Sequence, residues 1–213
     1  MNLIDNHHLN VLTNFSRCSG NSKPLSLQEL FTVFHHCFAL NYNVQLINGL
    51  AVGHNEPVYI PAQSHQPAQI IFAHGFIRSA LHEIAHWCYA GYKRRQLEDY
   101  GYWYHGEFRD QAQQSAFEAA ELMPQAYELI LSAAAGIKFE VSCDNFNSQV
   151  IINRHQFTQQ VVAQAQRRLI SGVSPRLALL RQAIGEWRNL TPAAQFEMEL
   201  NDQNLPCLHV ENI

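Results

Sequence analysis

The pentapeptide His82-Glu83-Ile84-Ala85-His86 constrains this chain more than any other feature. Four residues along an α-helix are a little over one turn, so the two imidazoles leave the same side of the helix. Two neutral imidazoles on one face can hold a single metal ion. Glu83 stands about 100° around the helix from His82, beside that ion without ligating it. It is placed there to orient bound water or act as a base, which makes it the candidate catalytic residue. The apolar neighbours Leu81, Ile84, Ala85 and Cys88 are expected to bury the inner faces of the helix. A dry surround strengthens ligand binding and limits competing water.

Two histidines are too few for a tight, selective site, so a third ligand is needed. The best candidates are Glu118 and Glu121, three residues apart on one face of a segment that is otherwise nearly all apolar. Carboxylates on such a helix are costly to bury unless each has a partner, and a metal supplies one. Pro124 removes a backbone donor and is expected to interrupt the helix just after Glu121, turning that carboxylate toward the histidines. His74 and His105 are further candidate ligands. Two histidines and one carboxylate admit two chemistries. With zinc, an activated water and Glu83 make a peptidase-type hydrolase. With Fe(II), the same trio leaves positions for dioxygen and substrate, the oxygenase arrangement. The motif alone favours zinc hydrolysis.

Composition narrows the class. With 213 residues the chain fits one domain with a full core. Hydrophobic residues at 47% and charged residues at 15% exclude intrinsic disorder. A net charge of -4 and a pI near 6.3 give no general attraction for phosphate, so no direct nucleic-acid partner is expected. No apolar run approaches the roughly 20 residues that span a bilayer, and the start lacks a basic stretch followed by an apolar one. A soluble cytoplasmic protein with no membrane partner is the expectation. Cys18, Cys37, Cys88, Cys143 and Cys207 are scattered, which fits small buried hydrophobes in a reducing compartment.

Along the chain, residues 1–24 read as an N-terminal arm. Ser26 and Glu29 form a capping box, and apolar residues at helical spacing predict a helix over 26–39. Short runs at 44–47, 58–60 and 69–72 read as strands. A helix over 74–90 is expected to stop at Gly91, and residues 92–111 read as an aromatic, charged loop with room for one short helix. A helix over 111–135 closes at Gly136, followed by a strand at 137–141 and a turn at 142–145. Helices fit 154–171 and 175–188, and 191–213 is a tail. The pattern predicts an α+β fold, a small mixed sheet packed by helices, with residues 25–190 as a single catalytic, metal-binding domain.

The wider sequence resembles the elongation factor P hydroxylase family. The resemblance lies in Ile71-Phe72-Ala73-His74-Gly75-Phe76, Ala80–Cys88 with its HExxH, Gly101-Tyr102-Trp103-Tyr104, Phe117-Glu118 with Glu121, Pro124-Gln125-Ala126, and Val141-Ser142-Cys143-Asp144-Asn145. It runs in order from about residue 26 to about residue 188. It implies hydroxylation of elongation factor P on the lysine that already bears a β-lysyl group. It also implies a fold similar to a metal-dependent bacterial ribonuclease, zincin-like, and an Fe(II) centre, with zinc or another divalent metal able to take its place. Carried onto this chain, the ligands are His82, His86 and Glu121. Glu83, Glu118 and His74 stand nearby, Glu118 or His74 being the alternative ligand. The jelly-roll oxygenases, with a strand-borne HxD, have no counterpart here. A long cationic substrate needs acidic or aromatic contacts. Tyr102, Trp103 and Tyr104 are candidate ring faces for an ammonium. Glu107, Asp110 and Asp144 are candidate counter-charges. Lys93, Arg94 and Arg95 are candidate contacts to an acidic protein partner.

Overall fold

Ser26 opens the first helix, α1 (Leu27–Tyr42), through the expected capping box: Glu29 N–H reaches its hydroxyl and Glu29 returns a bond to the Ser26 backbone. The computed structural model describes residues 23–101 and 108–190. The arm, apart from Lys23 and Pro24, and the tail therefore lie outside the described residues. After α1 come β1 (Val44–Asn48), the single turn α2 (Gly49–Val52), β2 (Val58–Ile60), β3 (Ala68–Phe72) and the HExxH helix α3 (Ile77–Tyr89). Two 3₁₀ turns, Arg94–Gln96 and Glu98–Gly101, precede α4 (Gln111–Ala135), α5 (Arg154–Ser171) and α6 (Pro175–Trp187). Among the described residues no helix is long and apolar enough to cross a membrane.

The sheet is small and mixed, as expected. β3 lies in the middle, parallel to β1 with Val44 opposite Ala68, and antiparallel to β2 with Val58 opposite Ile71. Ile70, Ile71 and Phe72 are buried, which is why β3 is a continuous apolar run. Gly49 follows β1 where a Cβ would stand 2.6 Å from the His54 carbonyl oxygen and 2.9 Å from that of Phe72.

α4 is the central element. Every residue from Pro124 to Ala135 is buried, so its second half is surrounded by α3, α5 and α6. This corrects the interruption expected at Pro124. A proline within a helix costs roughly 3 kcal/mol, and packing on all sides of the following turns offsets it, so the helix runs through.

Two further expectations fail for one reason: side chains supply the hydrogen bonds that backbone would otherwise give. Among the described residues, 137–141 pair with no strand, and 142–145 form no turn. The Ser142 N–H and carbonyl instead exchange two bonds with the Gln125 amide (3.0 and 2.7 Å), while Val141 and Cys143 carbonyls accept from Arg154 (2.6 Å) and Gln114 (3.0 Å). The segment runs along α4, with these backbone groups satisfied by helix side chains. Gly91 likewise makes no left-handed cap at the end of α3. The terminal carbonyls of Cys88 and Ala90 accept from Arg176 Nη2 (3.1 and 2.6 Å), and that of Cys88 also from Ser174 Oγ (2.8 Å).

α3 is anchored by Trp87, 2% exposed, whose ring meets Phe34, Phe38 and Tyr42 at 5.9, 4.9 and 5.7 Å and lies under the Arg176 guanidinium at 5.0 Å. Leu81, Ile84, Ala85 and Cys88 are buried as expected. Trp87→Ala should lower unfolding stability by about 3–5 kcal/mol in urea denaturation, and a loss under about 1 kcal/mol would contradict this anchoring.

Candidate metal centre

α3 and α4 pack side by side and turn polar stripes toward each other. On α3 the stripe is His82 and His86. On α4 it is Gln114, Glu118, Glu121, Gln125 and Glu128, spaced alternately four and three apart, so that all lie on one face. His82 Nε2 lies 3.1 Å from His86 Nε2 and 3.6 Å from Glu121 Oε2, and His86 Nε2 lies 3.3 Å from Glu121 Oε1. One donor atom from each residue falls within 4.8 Å of the other two. Glu121 is 3% exposed and also accepts from Gln125 Nε2 at 3.3 Å.

The orientation of His82 is fixed from behind. Its Nδ1 lies 2.8 Å from Glu128 Oε2, so Nδ1–H donates to that carboxylate and Nε2 is left to face His86 and Glu121. His86 is backed by the Tyr100 ring, nearly parallel at 10° with centroids 6.3 Å apart.

Charge follows from this geometry. Burial works against the His82 cation, but Glu128, through its charge and hydrogen bond, and then the charges of Glu121 and Glu83, raise the imidazole to about 10. Burial also works against a charged Glu121. His86, by charge and hydrogen bond, then His82 and the bond from Gln125, outweigh it and bring this carboxyl to about 2. Glu83 goes the other way: burial raises it, and the nearby charges of the two histidines only partly oppose that. The metal-free centre therefore holds a proton among its nitrogens, where a cation would sit.

The donor set fits a divalent metal. Metal–donor distances of about 2.1 Å place neighbouring donors about 3.0 Å apart in an octahedron and about 3.4 Å in a tetrahedron. The two imidazole nitrogens, 3.1 Å apart, match such spacing, and one Glu121 oxygen lies within 4.8 Å of both. The trio faces a cavity of about 430 Å³ whose walls add Glu83, Glu56, Asp99, Tyr100 and Phe117. A larger, shallower recess of about 680 Å³ between α1 and β1, lined by Phe31, His35 and Leu46, contains none of these groups.

The other residues singled out from sequence lie elsewhere. Glu118 accepts from Gln114 Nε2 at 2.8 Å, one turn before Glu121. His74 is exposed ahead of α3 in left-handed backbone (φ 61°), its ring 6.4 Å from that of Phe76. Asp144 is ion-paired with Arg154, and Asp110 caps α4 by accepting from Gln113 N–H at 2.8 Å. Arg94 and Arg95 donate to the backbone carbonyls of Tyr100 (2.9 Å) and Ala90 (2.6 Å), and Lys93 is exposed. Tyr102, Trp103, Tyr104, His105 and Glu107 lie outside the described residues. Sequence reasoning missed Glu128, although its place in the α4 stripe, seven residues after Glu121, was a usable signal. It also missed Asp99 and Tyr100, which no periodicity marks.

Fold and site together define an α+β protein with a two-histidine, one-carboxylate cluster of metal-binding type. The profile of the Elongation factor P hydroxylase family matches residues 33–198. The chain is 42% identical over 159 residues to the Elongation factor P lysine hydroxylase of Haemophilus influenzae, covering 74% of this chain and 86% of that relative. The chain belongs to the Elongation factor P hydroxylase family.

Metal uptake should be proton-linked. His82 must lose a proton before Nε2 can accept a cation, so affinity for a divalent metal should rise up to about tenfold per pH unit above neutrality and level off near 10. Binding heats in two buffers at neutral pH should report about one proton released per metal, and none released would contradict the assignment. The metal-free fold has the opposite linkage. The His82 contribution to stability is complete below about 6.5 and lost as pH rises through about 10. The Glu121 contribution is present above about 4.5 and lost as pH falls through about 2.

Proposed function

We propose that this chain is an Fe(II)-dependent hydroxylase acting on the β-lysylated lysine of elongation factor P. The observation that carries the reading is the convergence of His82, His86 and Glu121 beside a cavity rich in carboxylates, in a member of this family. Bound Fe(II) would supply dioxygen chemistry at a lysine methylene, replacing C–H by C–OH.

The protein's own part is positioning and protection. His82, His86 and Glu121 would hold the metal beside the cavity, which would receive dioxygen and substrate. Glu128 keeps the His82 tautomer that presents Nε2. Glu83, raised by burial, is suited to hold a proton at its carboxyl and pass it within the cavity. Phe117 and the stacked Tyr59–Tyr100 pair, 4.3 Å apart, keep one wall dry. In this reading residues 25–190 are the catalytic unit, its architecture is akin to the metal-dependent ribonuclease and zincin-like proteins, and the reaction belongs to the cytoplasm, where translation factors act. The zinc-hydrolase alternative is set aside, because family membership favours hydroxylation.

Incubating β-lysylated elongation factor P with this protein, Fe(II), dioxygen and a reductant should add about 16 Da to the factor by intact mass. His82→Ala, His86→Ala and Glu121→Ala should each abolish the gain while far-ultraviolet circular dichroism stays native. Full activity in any of the three removes that residue from the ligand set, and cleavage of the factor in place of the mass gain would restore the hydrolase.

A further inference from the structure

Gln125 is fully buried, and both polar atoms of its side chain are engaged. Its Oε1 accepts from Ser142 N–H at 3.0 Å. Its Nε2 donates to the Ser142 carbonyl at 2.7 Å and to Glu121 Oε2 at 3.3 Å. The Ser142 N–H fixes which way the amide faces: turned over, the amide oxygen would meet a carbonyl and a carboxylate, and neither can donate. Holding the 141–145 segment takes only the two bonds to Ser142. The third bond is additional, and it goes to a metal-ligand candidate one turn back on α4.

That bond falls on a particular oxygen. Glu121 Oε2 takes the Gln125 N–H, while Oε1 lies 3.3 Å from His86 Nε2. The type of donor matters as well. An amide N–H stabilises the carboxylate without carrying a charge, so it does not repel a cation arriving at the histidines, as a lysine or arginine in its place would. An ionised carboxylate or a thioether at this position could not donate at all. Ser142 also lines the cavity, so one amide ties the carboxylate to the wall of the chamber it faces.

We propose that Gln125 is a positioning residue for the metal centre: its amide holds Glu121 by Oε2 and leaves Oε1 for the metal. It acts through Glu121 rather than on the metal or the substrate. The inference rests on the reading of His82, His86 and Glu121 as the ligand set, and adds how the single carboxylate of that set is kept in place. Losing a hydrogen-bond partner that orients a metal ligand typically costs about 10–100-fold in metal affinity.

The test is Zn(II) affinity, read by chelator competition on wild type, Gln125→Met, Glu121→Ala and the double variant. Methionine keeps the length of glutamine and removes its donors. Gln125→Met should weaken Zn(II) binding by about tenfold or more while far-ultraviolet circular dichroism stays native. In the Glu121→Ala background the same substitution should change affinity by less than about twofold, because its partner is already gone. A further loss of about tenfold there would show that Gln125 works through Ser142 and the fold, and would overturn the proposal. Wild-type affinity in folded Gln125→Met would overturn it too. The visible absorption of bound Co(II), which reports the ligand field, should change shape in Gln125→Met, and an unchanged spectrum contradicts the role. If Gln125→Met does not fold, nitrogen-15 NMR of wild type and Glu121→Ala decides. The Gln125 side-chain proton that faces Glu121 should shift between them, and the proton bonded to Ser142 should stay; two unmoved protons would refute the contact. Failure of the ligand reading looks different: Glu121→Ala itself binds Zn(II) as wild type does, which removes Glu121 from the set and this role with it.

Discussion

Two carboxylates buried on one helix face two imidazoles on the next, and much of the molecule exists to keep them there. Glu121 and Glu128 are 3% and 5% exposed, and burying either charge unpaired would cost several kcal/mol. His82 bridges them, Nδ1 to Glu128 and Nε2 toward Glu121. His86 completes the cluster from one turn further along α3. The arrangement tolerates a proton or a cation at its centre but not an empty, fully ionised set of acids. Metal affinity and fold stability therefore draw on the same contacts. The anchoring of α3 by Trp87 and Arg176, and of the 141–145 segment by Gln125 and Gln114, serves to hold the two stripes in register.

Much of this was legible in the sequence because it is written in local periodicity. Three strands and five helices were readable from alternation, helical spacing and the capping box at Ser26. That His82 and His86 would meet Glu118 or Glu121 was readable from helical spacing and the expense of burying a carboxylate, and the family resemblance singled out Glu121. What was not legible is tertiary. Pro124 signals a break, yet burial on all sides keeps the helix whole. Residues 137–145 read as strand and turn, yet their partners are Gln125, Gln114 and Arg154, supplied from helices no local rule connects to them. Gly91 reads as a helix cap, yet Arg176 and Ser174 from α6 already satisfy those carbonyls. Glu128 lies past Pro124, where a break in the helix was expected, although the four-three spacing continues beyond it. Asp99 and Tyr100 owe their place to a left-handed turn held by Tyr59 and Arg94.

The functional reading joins two kinds of support. The family relation identifies the class of chemistry, and the geometry supplies three donors of metal-binding type facing a cavity with aromatic and further acidic residues in its wall. Glu83 has the environment of a proton-holding group, since burial outweighs the nearby histidines. His82 and Glu121 carry the opposite bias, toward their charged forms. Burial and charge thus bias neighbouring groups of one small cavity in opposite directions.

The central claim is that three side chains from two helices grip one metal ion. X-ray absorption at the iron edge on the Fe(II)-loaded protein tests it directly. The account predicts one iron per chain with scattering from two imidazole rings and the remaining donors oxygen. A spectrum with fewer than two imidazoles, or with sulfur from any cysteine, would contradict it.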